Sequence, residues 1–278
     1  METQESFLSQ RIILAFIILE ALNWAFLLFG GDVSDLLILD AFTGFAFRFG
    51  IRAILFLGIV PFILKIPKGQ RTITEYLVDI RITSYKPVGK LLIVTIASIS
   101  LLLGGLVIAA VLYGNFVLEF SIIFSNDSPY ILLAINPGLW EEIMWRGIVL
   151  TLFLKKYSVR ISIAINTVLF ALSHLINLLA GQDILLMIGQ LIFVLIATPF
   201  LAYIFIKTES LLPGILIHYS VDAFGILFYA SMLVPGPDLI IGGIYVLVGW
   251  FIGNILAFGF LKYYLKENES LLGEEIEN

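Results

Sequence analysis

Glu141, Glu142 and Arg146 stand within NPGLWEEIMWRG, residues 136–147, among mostly apolar neighbours. The chain has two histidines, His174 and His218, and Asp222 follows the second by four residues. A carboxylate and an imidazole can together take a proton from water. A second imidazole with a polar neighbour can stabilise the oxyanion that forms when this water attacks an amide. Glu141, His174 and His218 could equally be ligands of a divalent catalytic metal such as zinc, with one position open. The spacing leaves both mechanisms open. HExxH is absent and no serine stands in GxSxG, so the common zinc and serine protease signatures are excluded. There is no cysteine, which excludes thiol nucleophiles, thiolate metal sites and disulfides.

Helical spacing sorts these groups. Glu142 and Arg146 are four residues apart with the acid first, the favoured order for a pair along one face, and they read as a structural ion pair. Glu141 is then rotated by about 100° and is free to point elsewhere. His218 and Asp222 share a face, where Asp222 could fix the tautomer of His218 or border a wet cavity. His174 alone reads as a hydrogen-bonded core histidine. Its coincidence in type and depth with the others points to a shared site. Asn136 followed by Pro137 predicts an N-cap and a first-turn proline. The helix would break and restart there, turning its positive end toward Glu141.

These residues must be held by membrane helices. Of the 278 residues 60% are hydrophobic and 13% charged, with a mean hydropathy of +1.04, far from the balance of a soluble domain. About 20 residues cross the hydrocarbon core, and eight segments qualify: 10–29, 44–64, 91–112, 130–154, 161–179, 184–206, 211–231 and 239–263. The predicted fold is all-α, a polytopic transmembrane bundle with a buried polar cavity open to the cytoplasmic side. It forms a single membrane-embedded domain over residues 1–278 with a motif core at 136–222. METQESFLSQ lacks the basic start of a secretory signal, so the first helix is expected to remain.

Basic residues set the orientation, since Lys and Arg collect in cytoplasmic loops. Lys65, Lys68, Arg71, Arg81, Lys86 and Lys90 lie between the second and third spans, Lys155, Lys156 and Arg160 after the fourth, and Lys207 after the sixth. Both termini therefore face the cytoplasm, from a cell membrane in a prokaryote or the endoplasmic reticulum in a eukaryote. The basic loop at 65–90 suits anionic lipid heads. Arg48 and Arg52 break the pattern, and are expected to snorkel outward or pair with Asp32, Asp35 or Asp40. The acidic tail ENESLLGEEIEN is a solvated end that contributes to the net charge of −5 and implies no nucleic-acid partner.

Counting from the cytoplasmic ends at 1.5 Å per residue, Glu141, His174, His218 and Asp222 lie roughly 10 to 21 Å deep on three helices. Ionisable groups at such depth are costly and face partners or water-filled cavities.

EEIMWR at 141–146, FALSH at 170–174 and HYSVD at 218–222 resemble the EExxxR, FxxxH and HxxxB motifs of the CPBP intramembrane peptidases, which include the type II CAAX prenyl endopeptidases. TESLLPGILIHYSVD is similar to the family's run around the last motif. The resemblance implies a membrane protease in which Glu141 and His174 activate water, His218 and Asp222 stabilise the oxyanion, and Glu142 and Arg146 hold the site together. It also implies a substrate among membrane lipids, either a prenylated CAAX tail or another lipid-associated peptide such as a bacteriocin precursor. Prenyl endopeptidases typically carry Asn where this chain has Asp222. An ionised Asp cannot donate a hydrogen bond, so it would orient a protonated His218, be protonated itself or ligate a metal. The alternatives from another class are a non-catalytic immunity or scaffold protein and a proton-coupled transporter. A transporter would be expected to show inverted repeats, and none is visible.

Overall fold

The computed structural model describes residues 41–59, 88–114, 130–179, 181–232 and 237–267, with Ala21 and residues 74, 77, 78 and 80–82. No strand occurs among the described residues, and the fold is all-α. Helix α1, Ala41–Ala53, continues into a π-helical turn, Ile54–Ile59. Helix α2 is Val88–Tyr113, α3 is a composite rod over residues 130–154, and α4 is Val159–Ser173. The short α5 is Ile176–Leu179, followed by α6, Ile184–Thr208, α7, Leu212–Met232, and α8, Pro237–Glu267.

Among the described residues four helical stretches are long and apolar enough to cross a membrane: Gly89–Tyr113, Val159–Leu179, Ile184–Thr208 and Ile240–Leu265. Their outer faces carry exposed Ile96, Val111, Ile161, Ile184 and Phe251. Lipid, unlike water, accepts such a face, and a helix pairs its own backbone there. Together with the composition this makes the chain an integral membrane protein. The expected first span, 10–29, lies outside the described residues apart from Ala21, as does the second beyond Ile59.

The rod α3 is not an ordinary α-helix. Tyr130–Leu133 and Thr151–Leu154 are α-helical, but Pro137–Glu141 and Ile143–Leu150 are wound as π-helix. Pro137 lacks an N–H and its ring crowds the carbonyl one turn back, and widening the winding relieves that clash. The expected break does not occur. Asn136 is helical at φ −61° and ψ −59° and its side chain caps nothing, so no restarted N-terminus faces Glu141. Side chains support the widened rod. Asn166 Nδ2 of α4 donates to the Trp145 carbonyl at 2.9 Å, and Thr151 Oγ1 donates to the Arg146 carbonyl at 3.2 Å. Residues 142–150 are all buried, as a helix apolar on nearly every side must be.

Helices α2 and α8 pack together through small residues. A methyl on Gly253 would stand 2.8 Å from the Leu102 carbonyl oxygen, and one on Gly249 would stand 2.8 Å from Ala109 Cβ. Their backbones touch, the contact on which lipid-embedded helices depend. One apolar cluster surrounds α3, with Trp140, Trp145, Phe170 and Phe205; a second joins α2, α6, α7 and α8, with Leu106, Phe200, Ile217 and Trp250. A cavity opens where the two clusters meet.

Candidate active site

Glu142 is the deepest of the acidic groups, with no solvent exposure. Its Oε1 accepts from Arg146 Nη1 at 2.8 Å, the expected pair, and also from His218 Nδ1 at 2.8 Å. One carboxylate oxygen thus ties α3 to α7. Gly214 makes the approach possible, since a Cβ there would lie 2.9 Å from Glu142 Oε2. Gly138 does the same one turn along, where a Cβ would meet Tyr219 backbone at 2.9 Å. The Arg146 guanidinium lies over the Phe170 ring, 4.8 Å from its centre.

With Nδ1 of His218 committed to Glu142, its Nε2 turns to the cavity. There it faces Asp222 Oδ2 at 3.5 Å and Glu141 Oε2 at 3.8 Å. A lone pair on Nε2 would leave three acceptors facing one another, so this side of the site holds a proton on the ring or on a carboxylate. Glu141 and Asp222 side chains are 29% and 32% exposed against 1% for Glu142, which separates acids that meet the cavity from the one sealed behind it.

His174 sits where α4 ends, within the apolar stretch Val159–Leu179. Its N–H bonds to the Ala171 carbonyl, three residues back, and so releases the Phe170 carbonyl. The His174 ring takes that carbonyl through Nδ1 at 2.8 Å, and Ser173 Oγ donates to it at 2.7 Å. A carbonyl only accepts, so Nδ1 carries the hydrogen and Nε2 is the basic atom of the neutral ring. The Phe170 ring also packs edge-on against His174, 4.7 Å between centres.

Glu141, His174, His218 and Asp222 all line one cavity of about 280 Å³, with Arg146 and Phe170 among its other walls. The sequence-predicted groups therefore come together, and Glu142 lies behind them. Phe170, Asn166 and Gly214 went unremarked as individual residues in the sequence. Phe170 lies in the FxxxH motif and Gly214 in the run that leads to His218, whereas Asn166 lies in neither.

Phe49 and Phe56, on either side of Arg52 in the chain, pack on Trp140 of α3 with ring centres 5.0 and 5.6 Å away. Asp32, Asp35 and Asp40, the partners considered for Arg52, lie outside the described residues.

Among the described residues no three His, Asp or Glu side chains converge as ligands of one ion. Glu141, His174 and His218 border a common space without forming a coordination cage, so as arranged they do not fit the metal.

The order and type of these groups can be compared with known families. Residues 128–224 match the family model described as Type II CAAX prenyl endopeptidase Rce1-like. The match covers about a third of the chain, and the EExxxR, FxxxH and HxxxD residues all fall inside it. It bears out the resemblance drawn from those motifs. No curated protein and no solved structure matches the chain. The Rce1-like segment takes in α3 through most of α7, the helices that supply all six polar groups described above.

Proposed function

We propose that the protein is an intramembrane endopeptidase that hydrolyses a peptide bond near the C-terminus of a prenylated CAAX-type or other membrane-associated substrate. The observation that supports this best is the cavity shared by Glu141, His174, His218 and Asp222, with the imidazoles held from outside it by Glu142 and the Phe170 carbonyl. Glu141 takes a proton from water, while His174 Nε2 accepts from the same water and aims its oxygen at the scissile carbonyl carbon. The carbonyl oxygen becomes an oxyanion and receives a hydrogen bond from protonated His218 Nε2, which Asp222 keeps oriented. Glu141 returns its proton to the leaving amine as the carbon–nitrogen bond breaks.

The same reading includes eight spans, both termini in the cytoplasm and a cavity entered from that side. A lipid anchor would then stay in the bilayer while the attached peptide reaches the acids. The test incubates purified protein in detergent with a farnesylated CAAX peptide and an unprenylated control, with and without chelator. Cleavage of the farnesylated peptide is expected. Failure to cut either peptide would favour the immunity or scaffold alternative.

A further inference from the structure

Away from the acids and imidazoles the cavity wall is mostly apolar, with Phe193, Phe200, Leu201 and Trp250. Thr198 of α6 and Asn254 of α8 interrupt it. Thr198 is fully buried and Asn254 is 7% exposed. Among the described residues neither Thr198 Oγ1 nor Asn254 Oδ1 has a hydrogen-bond partner. The Asn254 amide has one sensible orientation, because Nδ2 donates to the Trp250 carbonyl at 2.8 Å and that oxygen can only accept. The atom left over is an acceptor. Thr95 and Thr208 show what a helical threonine ordinarily does: each gives its hydroxyl to the carbonyl four residues back at 2.7 Å. Thr198 keeps its hydroxyl unspent.

A buried polar atom without a partner is costly, and one that borders a cavity is satisfied by whatever enters. A prenyl chain has no polar group to offer. A peptide backbone has N–H groups that need acceptors and carbonyls that need donors once they leave water.

We infer that Thr198 and Asn254 form a peptide-binding subsite, in which Asn254 Oδ1 receives a backbone N–H of the substrate and the Thr198 hydroxyl donates to a backbone carbonyl. This rests on the endopeptidase reading and adds what holds the chain while Glu141 and His174 act on it. Neither residue touches the reacting atoms, so both are positioning residues.

The test measures binding of a fluorescently labelled farnesylated CAAX peptide to Glu141→Gln protein, with and without Thr198→Val or Asn254→Leu. The Glu141→Gln parent should bind, and each added substitution should weaken binding about tenfold. Peptides N-methylated at successive bonds supply the complement. At one bond the methyl should cost the parent about tenfold and cost the Thr198→Val, Asn254→Leu double variant less than about twofold. Thr198→Val removes an unpaired hydroxyl, so its melting midpoint should equal or exceed the parent's. A lower midpoint would mean the hydroxyl serves the fold, and would overturn the inference. Unchanged affinity in the variants beside a binding parent overturns the subsite and leaves the endopeptidase reading standing. Absence of binding by the parent, together with absence of cleavage by the unsubstituted protein, overturns both.

Discussion

His218 Nδ1 and Arg146 Nη1 meet on the same oxygen of Glu142, each at 2.8 Å. The ring is held from its rear, and the opposite nitrogen is the one presented to Glu141 and Asp222. The charge of this clamp keeps the orientation: a buried ion pair supports an imidazole at the cavity edge.

Removing Arg146 strands that carboxylate. Arg146→Ala should lower stability by about 3 to 5 kcal/mol, since it leaves a buried charge uncompensated. Thermal melting in detergent checks this, and a midpoint equal to that of the unsubstituted protein would contradict the role assigned to the pair.

Glu141 and His174 meet the cavity without carrying the fold. Glu141→Gln or His174→Ala should each reduce cleavage of a farnesylated CAAX peptide by about 10² or more, the scale of a lost general base, while the melting midpoint stays near its starting value. Full activity in either purified variant would remove that residue from the mechanism.

Gly214 leaves room for Glu142 and nothing larger. In Gly214→Ala the new methyl would stand 2.9 Å from Glu142 Oε2. Glu142 is pinned by two hydrogen bonds and cannot retreat cheaply, so the His218 ring should shift and turnover should fall with little change in peptide affinity. Steady-state kinetics separates the two, and an unchanged kcat would show that the clamp tolerates displacement.

Asn166 takes a carbonyl of the π-helical rod. Asn166→Leu should cost about 1 to 3 kcal/mol by orphaning the buried Trp145 oxygen. Urea or thermal unfolding measures the loss, and a variant as stable as its parent would mean the widened winding needs no support from α4.

Much of this was legible in the linear chain. Glu142 and Arg146 pair as their four-residue spacing requires, because the helix fixes that geometry whether its turns are α or slightly widened. His218 and Asp222 face each other for the same reason. At Asn136–Pro137 local propensity favours a break, whereas burial of α3 among the other helices favours a continuous rod with its winding opened. The packing of Phe49 and Phe56 on Trp140, by contrast, joins separate helices and is not marked by any local spacing.

By itself the sequence determined that the chain is an integral membrane protein, which polar groups lie deep, and how those on one helix face relate, because hydropathy and helical period are local properties. Only the tertiary structure decided that His218 shares an oxygen with Arg146, that the end of α4 releases a carbonyl for His174, and that Thr198 and Asn254 border the same cavity. Those relations join residues from different helices. They depend on how closely glycine-lined backbones approach and on which buried groups find a partner there, and neither is written in any single span.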